Sequence, residues 1–215
     1  MKKGKPTFTL ASVSGFAVMA VILFNQPCIA QESPAITGHN LVGTVSGLAR
    51  NITEGWRFTA NSDIQVMRLG VWDLFSDGLN ASHDIGLWDA SGNLLASATV
   101  PGGTAAALIN DFRYVSITPV ALDAGHDYLI GALYVPSPMD DYLGGASGNT
   151  FTSDPRITWR NRARYSATAG AALTFPSETA PFAGAFGPNF TLTPEPATLS
   201  LLALGGLALL LRRKP

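Results

Sequence analysis

From Leu41 to Thr193 the chain is cut into short apolar runs rich in Val, Ile, Leu, Phe, Tyr and Trp, each closed by a cluster of Gly, Pro, Asn, Asp or Ser. That punctuation leaves no room for a helix with a 3.6-residue apolar period and favours strands joined by tight turns. Strands are predicted over residues 41–45, 55–60, 64–73, 83–89, 93–100, 112–118, 127–135, 157–167 and 189–193. Alternation is clearest where Leu94, Ala96, Ala98 and Val100 oppose Leu95, Ser97 and Thr99, which predicts one buried face. In residues 64–73 the apolar phase slips from Ile64 and Val66 to Met67, Leu69 and Val71. A β-bulge or burial of both faces would produce that slip. The expected fold is all-β, an antiparallel β-sandwich.

Asp89-Ala90-Ser91-Gly92 carries hairpin chemistry, an Asp to bond the local backbone and a Gly for positive φ, so its flanking strands should pair antiparallel. Around it lie Gly55-Trp56-Arg57-Phe58-Thr59, Leu87-Trp88-Asp89, Gly92-Asn93-Leu94-Leu95-Ala96 and Leu122-Asp123-Ala124-Gly125-His126-Asp127-Tyr128. This order of motifs resembles a family of uncharacterised bacterial β-sandwich domains. The resemblance implies a fibronectin-III-like or jelly-roll-like module of surface and secreted proteins, and no activity.

Both ends read as targeting segments. Lys2, Lys3 and Lys5 precede an apolar stretch from Phe16 to Phe24, and Cys28-Ile29-Ala30 offers small residues to signal peptidase, so residues 1–30 are expected to be a signal peptide cleaved after Ala30. The sole cysteine would leave with it, and with it any disulfide or thiol chemistry. At the other end Pro194-Glu195-Pro196 introduces the uncharged residues 197–211 and then Arg212-Arg213-Lys214. As a helix that run would rise about 22 Å, short of a hydrocarbon core of about 30 Å. The basic triplet favours the cytoplasmic side and leaves the preceding chain outside.

These three parts, in this order, resemble the PEP-CTERM sorting signal of Gram-negative bacteria. The resemblance implies that exosortase recognises the motif and removes or exchanges the tail, with residues 197–211 as a transient inner-membrane anchor and hydrophobic sorting helix. It also implies an association with exopolysaccharide production and a place at the cell surface, in the envelope or in the extracellular matrix. The chain then divides into residues 1–30, an ectodomain over 31–193 and a sorting signal over 194–215.

All four lysines lie in the terminal segments, so the ectodomain carries eight arginines against a surplus of carboxylates. A mildly acidic surface argues against nucleic acid, whose phosphates call for a basic footprint. Its one concentrated basic feature is Trp159-Arg160-Asn161-Arg162-Ala163-Arg164-Tyr165. In an extended chain Arg160, Arg162 and Arg164 share a face, spaced about 7 Å apart, with Trp159, Ala163 and Tyr165 on the other. Planar guanidiniums suit carboxylate or sulfate, so the row is a candidate glycan site; the plainer reading pairs it with Asp140, Asp141 or Asp154. Trp159 and the other tryptophans, at 56, 72 and 88, are candidate sugar platforms or core residues.

Chemistry beyond this is sparse. Asp140 and Asp141, beside a glycine-rich loop containing Asn149, are calcium candidates without calcium-loop spacing, as are Asp73, Asp77 and Asp84; solvated turn aspartates are the plainer reading. No other cofactor is indicated. His83-Asp84 and His126-Asp127 begin strands, where neighbours face opposite ways, so neither is a local relay. Gly43–Gly47 and Gly144–Gly148 lack a centred nucleophile serine. The expectation is a non-enzymatic surface or matrix protein; the alternatives are a carbohydrate-binding module on the arginine row and a hydrolase with a non-local site.

Overall fold

The computed structural model describes residues 32–40, 50–142, 150–181 and 184–194. Within them the chain forms β1 (Ser33–Pro34), β2 (Ile36–Asn40), β3 (Ile52–Ala60), β4 (Ile64–Trp72), a 3-10 turn (Leu74–Ser76), β5 (His83–Asp89), β6 (Leu94–Val100) and β7 (Ala107–Ile109). It continues through β8 (Phe112–Leu122), β9 (Asp127–Tyr134), β10 (Thr150–Ser153), β11 (Ile157–Tyr165), β12 (Glu178–Ala180) and β13 (Pro188–Pro194). One antiparallel sheet has the order β1-β13-β4-β8-β7, a second the order β12-β11-β3-β9-β5-β6, and β10 with β2 makes a short ribbon. The fold is the expected all-β sandwich.

Why the sheets face each other follows from β3. Period two sends Trp56, Phe58 and Ala60 to one side, all fully buried, and Arg57 to the other. Across the core stands Phe190 of β13, whose ring lies 4.8 Å from that of Phe58 and stacks 5.9 Å from that of Trp56. The indole of Trp56 also donates to the Pro188 carbonyl at 2.7 Å, so its one polar atom is satisfied inside the core. Phe186 extends the cluster to Phe151 at 4.0 Å and Trp159 at 5.3 Å. Trp56, Trp72 and Trp88 are buried. Trp56 and Trp72 are core residues, while Trp88 packs against Phe175 on the other face of its sheet.

Local expectations can be placed on this frame. The phase slip in β4 is a bulge: register shifts between Val66 and Arg68, which keeps Ile64, Val66, Leu69 and Val71 on the buried side. The 89–92 hairpin joins β5 to β6 antiparallel, with Gly92 at φ 90° and the Asp89 carboxylate accepting from the Ser91 and Asn93 backbone and the Asn93 side chain. Those bonds, the Asn93 side chain foremost, hold the Asp89 carboxyl below its ordinary range. Gly55 has no room for a side chain, since a Cβ there would sit 1.9 Å from the Ile130 carbonyl oxygen. β1, β2, β7, β10 and β12 were not expected, and β13 runs through Pro194, one residue beyond the expected ectodomain. The predicted strand 41–45, the 1–30 segment, the loop 144–148 and the tail beyond Pro194 lie outside the described residues. Among the described residues no helix is long and apolar enough to cross a membrane.

Phe190 is the central inter-sheet contact, so Phe190→Ala should lower unfolding free energy by about 3–5 kcal/mol. Urea unfolding followed by tryptophan fluorescence checks this, with the midpoint falling and the slope preserved.

Candidate functional site

The outer face of the six-stranded sheet gathers four guanidiniums. β11 pairs with β3 so that Arg160 lies directly opposite Arg57 and Arg164 opposite Gly55. The register shifts between Arg160 and Ala163, so Asn161 and Arg162 form a two-residue bulge. Two extra residues preserve the alternation: Ala163 is fully buried, while Arg160 and Arg162 are exposed. Arg57, Arg160, Arg162, Arg164 and Asp127 line a surface cleft of about 320 Å³.

Among the described residues Asp127, at the start of β9, is the only carboxylate lining that cleft. Its Oδ2 accepts from Arg57 Nη2 at 2.6 Å, its Oδ1 lies 3.6 Å from Arg160 Nε, and Thr59 Oγ1 donates to it. Arg160 Nε is 2.7 Å from the same Thr59 hydroxyl. Burial pushes the Asp127 carboxyl up, but the Thr59 bond and the two guanidiniums outweigh it and hold it below the ordinary range. Arg164 donates to the Ser177 carbonyl at 3.2 Å, and burial, then repulsion from Arg57, pulls its own pKa down. The Nε atoms of Arg57 and Arg164 are buried with no acceptor. Among the described residues Arg162 has no ion-pair or hydrogen-bond partner.

Like charges directly opposite across strands destabilise a sheet. Asp127 pairs with two of the four cations and, with Glu178, acts on Arg164 through space, which leaves a surplus of positive charge in the cleft. The chemistry suits an anion with several oxygens, such as a carboxylate or sulfate gripped by more than one fork.

The structure puts the arginine row together as period two requires and adds Arg57 and Asp127, which the sequence reading missed. Arg57 was legible as outward-facing in Gly55–Thr59, but its register against Arg160 was not. Trp159 lies on the opposite face, packed edge-on to Phe151 and Phe186, so it is not part of this cleft. Two of the carboxylates proposed to pair with the row do other work. Asp154 binds Arg156 at 2.8 Å and Ser33 at 2.5 Å, and Asp140 binds His83.

His83 and Asp140 are brought together from distant parts of the chain, Nε2 to Oδ2 at 2.8 Å. The His83 ring is fully buried, and its Nδ1 faces the Leu133 carbonyl at 2.9 Å. Both ring nitrogens therefore meet oxygen atoms at hydrogen-bond distance. Asp140 also accepts from the Asn80 and Ala81 backbone at 2.7 and 2.9 Å. Burial raises its pKa, but these three bonds and the His83 charge win and depress it. A sealed pair with every oxygen engaged is a tie between loop and sheet, and its carboxylate is committed away from calcium. Asp73 is likewise paired with Arg113 and Asp84 accepts from Thr99, which separates that candidate cluster. Among the described residues no three His, Cys, Asp or Glu side chains are placed to hold a metal. His126 is an exposed turn residue beside Asp127.

Comparison with known proteins bears on the whole chain. A family model described as "Domain of unknown function (DUF4082)" matches residues 42–182, and a PEP-CTERM protein-sorting motif matches residues 192–214. The chain belongs to the DUF4082 family. Its sorting motif marks it as an exosortase substrate, exported to the cell envelope or surface. No curated protein matches it.

A different carboxyl sets the pH response of this family member. Glu54 of β3 lies on the core side, 7% exposed, with Oε2 unpartnered, and burial lifts its pKa from 4.5 to about 7 against the weaker pull of Arg50. A raised carboxyl costs nothing while protonated in both states and destabilises the fold as it ionises. Stability should therefore fall by about 3 kcal/mol as pH rises from the unfolded value of 4.5 to about 7. Asp140 and Asp154, the latter lowered to about 2, act oppositely: their stabilisation is present above 3.8 and is lost as pH falls through their folded values. Urea midpoints measured from pH 2 to 9 should peak near the ordinary carboxylate range, and Glu54→Gln should flatten the alkaline limb alone.

Proposed function

We propose that the exported DUF4082 domain is a non-enzymatic component of the cell surface or extracellular matrix that holds an acidic exopolysaccharide in its arginine cleft. The observation that carries this reading is the cleft itself: Arg57, Arg160, Arg162 and Arg164 around one carboxylate, with Arg162 unpaired among the described residues. Uronate or sulfate groups recurring along a polymer would meet a guanidinium at each step of the strand. The sorting motif supports the location, since it delivers the domain to where such polymers are found. Glycoside cleavage calls for a pair of carboxyl groups, whereas Asp127 lines this cleft alone among the described residues and is already held by Arg57 and Thr59, which favours holding over cleavage.

Binding should be salt-sensitive, because screening shortens the reach of exposed charge to about 8 Å at physiological ionic strength. In calorimetry with alginate and polygalacturonate, replacing Arg160, Arg162 and Arg164 by Ala together should weaken binding at least about tenfold. Asp127→Asn should strengthen it, because it removes the competing carboxylate. Equal binding by the triple variant, equal binding of uncharged dextran, or shortening of the polymer would each overturn the reading.

A further inference from the structure

On the other side of the sandwich, the turn after β4 holds a large aromatic ring in water. Phe75 is 83% exposed. Its backbone is left-handed, at φ 68° and ψ −1°, and Ser76 follows at φ 59°. Such conformations cost a side-chain-bearing residue about 1–2 kcal/mol each, and leaving a Phe exposed forgoes about 2 kcal/mol more. The turn keeps this arrangement because its base is over-tied. Asp73, 1% exposed, accepts from the Gly78 N–H at 3.1 and 3.2 Å and from Arg113 Nε at 2.7 Å. Arg113 Nη2 in turn donates to the Ser76 carbonyl at 3.1 Å.

Beneath the ring lies a second cavity of about 210 Å³, lined by His39, Trp72, Asp73, Leu74, Phe75, Ser76 and Asp111. Two of its polar groups lack partners. Trp72 is 2% exposed and its indole N–H is buried without an acceptor; Nδ1 of His39, whose ring meets the indole edge-on at 5.9 Å, is likewise unpaired. A buried donor without an acceptor costs about 1–3 kcal/mol. The opposite wall is the Asp111 carboxylate, half-exposed, steadied by Ser76 Oγ at 3.1 Å and facing His39 Nε2 at 3.5 Å. The cavity thus offers an apolar ring at its mouth, the Trp72 and His39 rings at its base and a carboxylate on its side.

We infer that this cavity is a binding site for one neutral sugar ring, whose C–H face lies on Phe75 and whose hydroxyls reach Asp111, with Trp72 and His39 as its floor. A pyranose presents that same division, an apolar face and a rim of hydroxyls that donate to a carboxylate. The volume falls below the roughly 300 Å³ at which drug-sized pockets begin, so the site takes a single ring with the rest of a chain in solvent. Asp111 and the exposed Asp77 make the surroundings acidic, which disfavours the polyanion suited to the arginine cleft. The site is therefore separate from the proposed polyanion function.

Four tryptophans give resolvable indole N–H signals in the ¹⁵N-labelled full chain in detergent micelles, with Trp72→Phe assigning the relevant one. Titration with cello-, malto-, manno- and galacto-oligosaccharides should move the Trp72 resonance saturably for at least one of them. Phe75→Ala, which removes only an exposed side chain, should weaken that binding at least about tenfold, as should Asp111→Asn. Replacing Arg160, Arg162 and Arg164 should leave it unchanged, so this site and the polyanion cleft can fail independently. A Trp72 signal that no oligosaccharide moves, or one that moves equally in Phe75→Ala, would overturn the inference, and so would a shift seen only with apolar peptides.

Discussion

The contact between Phe190 and the Trp56–Phe58 pair is the interaction on which the sandwich rests, because it is made by the two strands that each sit inside a sheet and face one another. β3 is flanked by β11 and β9, β13 by β1 and β4, so the aromatic cluster is braced by hydrogen-bonded neighbours on every side. Everything functional is displayed on the outside of this frame. The cleft uses the outward residues of β3 and β11, whose inward residues are Trp56, Phe58, Trp159 and Ala163. Core packing and arginine placement are therefore two readings of the same alternation. A shift of one residue would bury the guanidiniums.

A second theme is the use of buried ion pairs to discipline connections rather than to stabilise the core. Arg113 and Asp73 tie the β4 turn to β8 and the approach to β7; His83 and Asp140 tie β5 and β9 to the chain after β9; Asp154 with Arg156 tie the β10–β11 connection to Ser33. Each joins segments far apart in sequence. Such pairs contribute little net energy over apolar packing, but breaking one leaves an uncompensated charge, so they fix one loop arrangement against others. Phe75 is held out by such a device.

The fold was legible where alternation was strong and turn chemistry explicit: β5 coincides with its expected bounds, and the slip within β4 announced its bulge. It was not legible where strands are two to five residues long and polar, as in β1, β2, β7, β10 and β12, because so short a segment has no period to read. The arginine face was visible in the spacing of 160, 162 and 164. Its partners Arg57 and Asp127 were hidden because strand order is a long-range property, with β3 lying between β11 and β9. The Phe75 pocket was hidden for another reason: nothing in Leu74-Phe75-Ser76 reveals a left-handed backbone, which the distant Arg113 imposes. The family match itself ends at residue 182, yet β13 begins at Pro188 and completes the five-stranded sheet.

That last strand carries a topological corollary. β1 pairs antiparallel with β13, Ser33 opposite Leu192 and Pro34 opposite Thr191, so the chain enters and leaves the globule at neighbouring points on one rim. The apolar stretch from Phe16 to Phe24 lies upstream of that entry in the sequence, and the sorting motif starts at the exit. Whatever is joined to the two extremities consequently departs from the same side of a sandwich that is already closed.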